Sequence, residues 1–361
     1  MTTISDLSGD LVGEILTRVP LPSLSAVRST CKSWNALSKT QIFGKAARKQ
    51  FLGFMVMNFK VCSMRLDLQG YFFDLSIKPL HIFNQVEIAE VFHCYGLLLC
   101  VTNEEITRLV VWNPYSSETR WIQPVKSFCR DDMFTFGYDN NNRNHKILRL
   151  NAYIAEIYDC NSNSWTVLDV FPALKVINYR GSVSLKGNTY FFRETITKDI
   201  FLSYFDFTAE KFGPHLDLPS ESCSHVLSCV RDEKLASLLE TSEKLEFWIT
   251  TKIDTNLVSW NKFLSVDKRP LTRFLDGFMT RTFLIDEEKK VVVVSGFRST
   301  RTNTCPYQTA HIIGENGYFK CVNIGEARKT DQLGYYKYNP LVFSSYVPSL
   351  VQLKGENEVI N

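Results

Sequence analysis

The chain has no Cys-x-x-Cys pair, which removes the ligand spacing of the common structural zinc sites. Its ten cysteines are scattered, and the pairs Cys94 with Cys100 and Cys223 with Cys229 match no metal or redox pattern. Several lie in apolar runs, as in Leu97-Leu98-Leu99-Cys100, where cysteine acts as a small hydrophobe. Buried free thiols are therefore expected over disulfides. No run approaches the roughly 20 apolar residues that cross a bilayer. Met1 to Asp6 lack a basic segment leading into an apolar one, and there is no Asn-x-Ser/Thr sequon. The expected compartment is thus reducing, the cytoplasm or the nucleus.

An excess of either charge is also missing. Lys and Arg number 41 against 38 Asp and Glu, a formal +3, which supplies no field for nucleic acid or an anionic membrane. Catalytic signatures are absent as well: no G-x-S-x-G elbow, phosphate loop, G-x-G-x-x-G or H-E-x-x-H. None of the six histidines is spaced three or four residues from another. Cys223-Ser224-His225 is read as a loop entering a strand, not as a ligand set, and no cofactor is expected. In Asp139 to Asn144 a lone aspartate is too little charge for calcium, so that stretch is read as a turn. Arg298 and Arg301 read as a solvated loop, with a binding rim as the alternative.

What is abundant is aromatic: 26 Phe and 15 Tyr contribute to an aromatic share of 13%, which favours sheet. The first residues differ. Ser8 or Asp10 can cap a helix whose apolar positions Leu11, Val12, Ile15, Leu16 and Val19 recur at helical spacing. Pro20-Leu21-Pro22 stops it. Ser23 then opens a second helix through Leu24, Val27, Arg28 and Cys31, followed by a short stretch through Trp34 and Leu37. Helices this short bury little surface alone. Their spare apolar positions point either to a partner or to the rest of the chain.

The residues themselves distinguish these. Leu7-Ser8-Gly9-Asp10-Leu11-Val12-Gly13-Glu14-Ile15-Leu16-Thr17-Arg18-Val19-Pro20, Ser23-Leu24 and Val27-Arg28-Ser29-Thr30-Cys31-Lys32-Ser33-Trp34-Asn35 together resemble the F-box. Ser8 stands where that family usually has proline. The resemblance implies docking to a Skp-type adaptor, and through it to a cullin. Leu7, Leu11, Ile15 and Leu16 would supply apolar surface, with Pro20 and Leu24 setting the turn and the second contact. Arg28 and Trp34 are further adaptor-binding candidates, although Trp34 also suits the module's own core. Cys31 is read as packing.

Beyond about residue 50 helical periodicity fades, and short β-rich runs alternate with polar turns. Turns at Tyr95-Gly96, Asp139-Asn140-Asn141, Lys186-Gly187-Asn188, Arg231 to Lys234 and Asp286-Glu287-Glu288 recur at roughly 45 to 50 residues, the period of a four-stranded blade. Within a unit the second strand is apolar, as in Val291-Val292-Val293-Val294. The third ends in a polar turn, as in Val110-Val111-Trp112-Asn113-Pro114, Ile157-Tyr158-Asp159 or Tyr204-Phe205-Asp206. The fourth carries an aromatic, Trp121 or Trp165. Such units close most readily as a propeller, which protects strand edges. The expectation is an all-α module over 1–48, an all-β propeller of about six blades over 49–355, and a disordered tail over 356–361. A sixth unit would join the strand-like Phe54 to Leu68 with Leu341 to Leu353. A β-sandwich is the alternative.

Val111-Trp112-Asn113-Pro114, Phe136-Gly137-Tyr138-Asp139, Ser203-Tyr204-Phe205-Asp206-Phe207, Leu216-Asp217-Leu218-Pro219 and Ser345-Tyr346-Val347-Pro348-Ser349-Leu350-Val351 resemble the plant F-box-associated interaction domain. It is kelch-like in outline, but the units carry neither a double glycine nor a Trp-Asp dipeptide. The resemblance implies a non-catalytic subunit of an SCF-type ubiquitin ligase, whose β-domain binds a target protein at residues the sequence leaves unknown. The alternatives are an F-box protein acting outside the ligase, and a propeller enzyme with a small-molecule site.

Overall fold

The computed structural model describes residues 52–69, 72–80, 86–104, 106–124, 127–128, 132–151, 154–169, 175–177, 181–195, 197–220, 225–231, 233–269, 278–298, 307–326, 349 and 351–353. Before these it describes 8, 11, 12, 15, 30–32 and 34. The β-region is a six-bladed propeller of antiparallel sheets. Blade 1 contains β1 (Leu52–Met57), β2 (Lys60–Gln69) and β3 (Phe72–Pro79), and blade 2 contains β4 (Ile88–Cys94), β5 (Leu97–Thr102), β6 (Leu109–Trp112) and β7 (Thr119–Ile122). Blade 3 runs β8 (Met133–Tyr138), β9 (His145–Leu150), β10 (Ala155–Asp159) and β11 (Ser164–Val167). In blade 4 two short strands, β12 (Lys175–Ile177) and β13 (Val183–Leu185), pair end to end along β14 (Asn188–Glu194), followed by β15 (Ile200–Asp206) and β16 (Lys211–Phe212).

Blade 5 holds β17 (His225–Val230), β18 (Lys234–Glu240), β19 (Lys244–Ile253) and β20 (Val258–Asp267). Blade 6 holds β21 (Phe278–Asp286), β22 (Val291–Arg298), β23 (Tyr307–Gly314) and β24 (Phe319–Glu326). The five turns anticipated from the repeat join the first strand of a blade to its second in blades 2 to 6, or the split β13 to β14 in blade 4. Their geometry explains their residues. Tyr95-Gly96 and Lys186-Gly187 take φ of 47° and 77°, and of 50° and 88°, the left-handed pair that a two-residue hairpin loop requires.

The polar end of the third strand in blades 2 to 4 has an equally local cause. Asn113 Oδ1 accepts the Tyr115 N–H at 2.9 Å, Asp159 Oδ1 those of Asn161 and Ser162 at 2.8 and 2.9 Å, and Asp206 Oδ1 those of Thr208 and Ala209 at 2.8 and 2.9 Å. These side chains hold the tight turn into the outer strand.

The core is distributed over six seams, as the double-sided burial of the inner strands demands. Phe54, Val56 and Trp112 join blades 1 and 2, and Leu99, Val111, Phe134 and Phe136 join blades 2 and 3. Leu148 and Ile157 meet Phe205 and Phe207 between blades 3 and 4, and Leu202 meets Leu235 between 4 and 5. Phe247 packs on Phe283 between 5 and 6. Met55, Cys62 and Met64 receive Leu284 between 6 and 1, closing the ring. The outer-strand tryptophans add a stitch: Trp165 Nε1 donates to Gln123 O and Trp260 Nε1 to Asp217 O, both at 3.0 Å, each reaching the connection that leaves the preceding blade.

Blade 1 departs from the expectation. The strand-like Phe54 to Leu68 is a hairpin, turning at Asn58 and Phe59 with φ of 51° and 61°. Phe59 O accepts the Ile88 N–H at 2.8 Å, so this turn lies on the face where β4 begins. β1 to β3 therefore occupy the second, third and outermost positions of the blade, and no described strand fills its innermost one. Residues 341–348, expected to join that blade, lie outside the described residues, as do 356–361. Ser349 and Val351 to Leu353 are described, and they hold to blade 2. Asn113 Nδ2 donates to Ser349 O at 3.2 Å and Val351 O at 2.8 Å, and the Leu353 N–H donates to Glu118 Oε2 at 3.1 Å.

Four strand cysteines follow the apolar reading, and Cys321 in β24 does not. Cys62, Cys94, Cys100 and Cys229 are buried free thiols, and burial raises the Cys62 pKa to about 11. Cys31, expected to pack, is exposed, as is Cys321. Cys129, Cys223 and Cys305 lie outside the described residues.

Candidate interaction surfaces

At the N-terminus the described positions 11, 12, 15, 30, 32 and 34 are helical. Ser8 starts the first helix: its O accepts the Val12 N–H at 3.0 Å and its Oγ the Leu11 N–H at 3.4 Å. A serine hydroxyl satisfies one of the donors that a helix start leaves open. Serine in place of proline at this position thus provides a side-chain acceptor for the helix start. Leu11 and Ile15, one turn apart, are 54% and 43% exposed, whereas Val12 is 6% exposed. Trp34 is half-buried. Leu7, Leu16, Pro20, Leu24 and Arg28 lie outside the described residues.

In the propeller, the turns between first and second strands and those between third and fourth share one face in blades 2 to 6. Its centre of interest is the tip of blades 2 to 4. Tyr95 is 45% exposed, and its ring centroid lies 5.4 Å from that of Tyr138. The Arg143 guanidinium sits over both rings, 5.4 Å from Tyr95 and 4.8 Å from Tyr138, and donates to Tyr138 Oη at 2.5 Å. Beneath them His93 and His145 are buried. His93 Nε2 accepts the Gly96 N–H at 3.1 Å, which pins the Tyr95 turn. Burial, and then the neighbouring His145, lower the His93 pKa to about 3. Burial lowers that of His145 to about 4, against a hydrogen bond with Cys94 O.

Several other cations of this face are matched. Lys146 Nζ meets Glu210 at 2.7 Å and Phe207 O at 3.2 Å. Arg231 pairs with Glu288, Lys234 with Glu287, Lys289 with Asp286 and Lys290 with Glu315. On the opposite face Arg149 bridges the fully buried Asp132 side chain and Glu156, at 2.8 Å each. These pairs organise the blades. The low exposure of Arg149 makes its pairing obligatory, since an unpaired buried charge is costly.

A cleft of about 340 Å³ opens between blades 5 and 6, lined in part by Lys234, Thr250, Lys262, Phe263 and Glu287. Its lysines are spoken for: Lys234 by Glu287 and Lys262 by Glu246, each at 2.8 Å. Thr250 Oγ1 bonds both the N–H and the O of Leu235. Among the described residues no three His, Cys, Asp or Glu side chains are grouped to hold a metal ion. No described helix is long and apolar enough to cross a membrane. The sequence did not single out Arg143, Tyr138 or the histidine pair as a group. Tyr138, Arg143 and His145 share one hairpin, but His93 lies about one blade repeat earlier, and only the packing of blade 2 on blade 3 makes it their neighbour.

Comparison with known families matches residues 4–46 to the F-box domain and residues 52–353 to the F-box associated beta propeller domain. An F-box protein of Arabidopsis thaliana is 51% identical over 99% of this chain and 99% of its own length. An F-box/kelch-repeat protein of the same plant is 47% identical over 98% of this chain and 97% of its own. With both halves matched in order, and the propeller observed, the chain belongs to the F-box proteins that carry an F-box associated beta propeller domain.

Proposed function

We propose that this chain is the substrate-recognition subunit of an SCF-type ubiquitin ligase: the F-box holds a Skp-type adaptor, and through it a cullin, while the propeller holds a target protein. The observation that carries this reading is the pairing of an F-box, with Leu11 and Ile15 exposed on its first helix, with a propeller in the same chain. The mechanism is proximity. Holding adaptor and target on one chain raises the effective concentration of target lysines near the ubiquitin-charged enzyme, so the subunit itself performs no chemistry. Both partners would meet it in the cytoplasm or nucleus.

The test is reconstitution. Full-length chain mixed with a Skp-type adaptor should co-elute as a stoichiometric complex. Adding the cullin assembly should then make ubiquitylation of a bound target depend on this chain. Failure to co-elute where another F-box protein does would overturn the adaptor assignment. Adaptor binding without chain-dependent ubiquitylation would favour a role outside the ligase.

A further inference from the structure

We propose that Tyr95, Tyr138, Arg143 and Lys186 form the docking surface for an acidic segment of the target protein, an aspartate- or glutamate-bearing stretch with an apolar side chain beside its carboxylate. The proposal rests on the propeller being the target-holding part of the chain, and it names where the target sits and what chemistry it brings.

Charge is the first argument. Arg231, Lys234, Lys289 and Lys290, on the same face in blades 5 and 6, are each neutralised by a glutamate or aspartate. Arg143 and Lys186 take part in no ion pair among the described residues, and both are exposed. They belong together because the Lys186-Gly187 turn is bonded to the Tyr138 strand, with the Tyr138 N–H donating to Gly187 O at 3.1 Å. One guanidinium and one ammonium on neighbouring turns make an uncompensated cationic patch, which attracts carboxylates. A phosphate site is built from a cluster of arginines, and the patch has a single one.

The second argument is the aromatic surface. Tyr95 and Tyr138 stand 5.4 Å apart with Arg143 across both, and tyrosine with arginine is the composition of interface hot spots. Tyr95 offers an exposed ring face for an apolar side chain next to the acid.

The third argument is rigidity. Tyr95, Arg143 and Lys186 have φ of 47°, 59° and 50°, a region where a non-glycine residue is strained. Two of the three turns are held from below, that of Tyr95 at Gly96 by His93 and that of Arg143 at Asn140 by Thr208, whose Oγ1 accepts the Asn140 N–H at 2.8 Å. Side chains fixed before contact lose little entropy on binding.

The test selects peptides from a random dodecapeptide library displayed on phage, using the full chain. Selected sequences should be enriched in Asp or Glu adjacent to an apolar residue. A synthetic peptide of the consensus should bind the double variant Arg143→Glu, Lys186→Glu at least about tenfold more weakly, the loss expected of hot-spot residues. Its lysine-for-acid counterpart should regain affinity for that variant. Tyr95→Gly supplies the folding control, because glycine suits the left-handed turn. It should keep the thermal midpoint and still weaken binding by about tenfold. Selection without acidic enrichment, or equal binding by these variants, would overturn the proposal. So would binding that appears only after residues 354–361 are deleted, since the occupant would then be the chain's own Glu356 and Glu358 segment. The variants leave the F-box intact. Loss of adaptor co-elution would therefore count against the ligase reading alone, and loss of peptide binding against this surface alone.

Discussion

His93 and His145 are neutral in the folded chain, with pKa values lowered by burial to about 3 and about 4. An unfolded histidine titrates near 6.5, so below that pH the unfolded state takes up protons that the folded state does not. Stability is therefore full above about pH 6.5 and falls as pH drops towards 4, by about 2 kcal/mol for each histidine at pH 5. Urea unfolding at pH 7 and pH 5 measures this. The double variant His93→Gln, His145→Gln should show a smaller difference between the two midpoints, and an unchanged difference would refute the assignment. Gly137 is a second decisive residue. A Cβ there would lie 2.5 Å from Gly187 O and also strike the Phe207 ring. Gly137→Ala should lower stability by about 1 to 3 kcal/mol, read as a lower thermal midpoint. Gly137 was legible as part of Phe136-Gly137-Tyr138-Asp139. The reason for glycine was not, because Phe207 arrives from the next blade.

Among the elements, the segment 349–353 depends on Asn113 more than on any ladder. The Asn113 amide does two jobs: its oxygen holds the turn into β7, and its nitrogen holds the carbonyls of Ser349 and Val351. Val351 and Leu353 then pack on the cluster between blades 2 and 3. Asn113→Asp keeps the acceptor but sets a carboxylate against two carbonyl oxygens. The expected cost is on the order of 2 to 4 kcal/mol, with faster hydrogen–deuterium exchange at residues 349–353 as the local readout. Unchanged exchange there would show that the segment is held by packing alone. The sequence marked Asn113-Pro114 as a turn and the tail as a motif, but not that one side chain joins them. That contact spans more than two hundred positions, beyond anything local pattern encodes.

At the scale of the whole molecule, the two proposed functions fall on different residues, Leu11 and Ile15 for one and the tip of blades 2 to 4 for the other, so they can be tested separately. Replacing Leu11 and Ile15 by Asp places charge on the exposed helix side, where a partner would have to bury it. Adaptor co-elution should fall at least about a hundredfold in affinity, given a cost of about 3 kcal/mol or more for a buried unpaired charge. The thermal midpoint of the propeller should be unchanged. Retained binding would show that the adaptor uses a different side of the helix.

The sequence by itself determined the elements and their rhythm. Helix starts, left-handed turns and Asx-held strand ends are set by a few adjacent residues, so Ser8, Tyr95-Gly96 and Asp159 could be read directly. Tertiary structure alone decided the rest: the hairpin at Asn58-Phe59, the strand positions of blade 1, the seams, and the meeting of Tyr95 with Tyr138 and Arg143. The physical reason is that a blade's first and second strands pair through local hydrogen bonds. Neighbouring blades meet mostly through side chains about a full repeat apart, and the packing of blade on blade determines which of those come into contact.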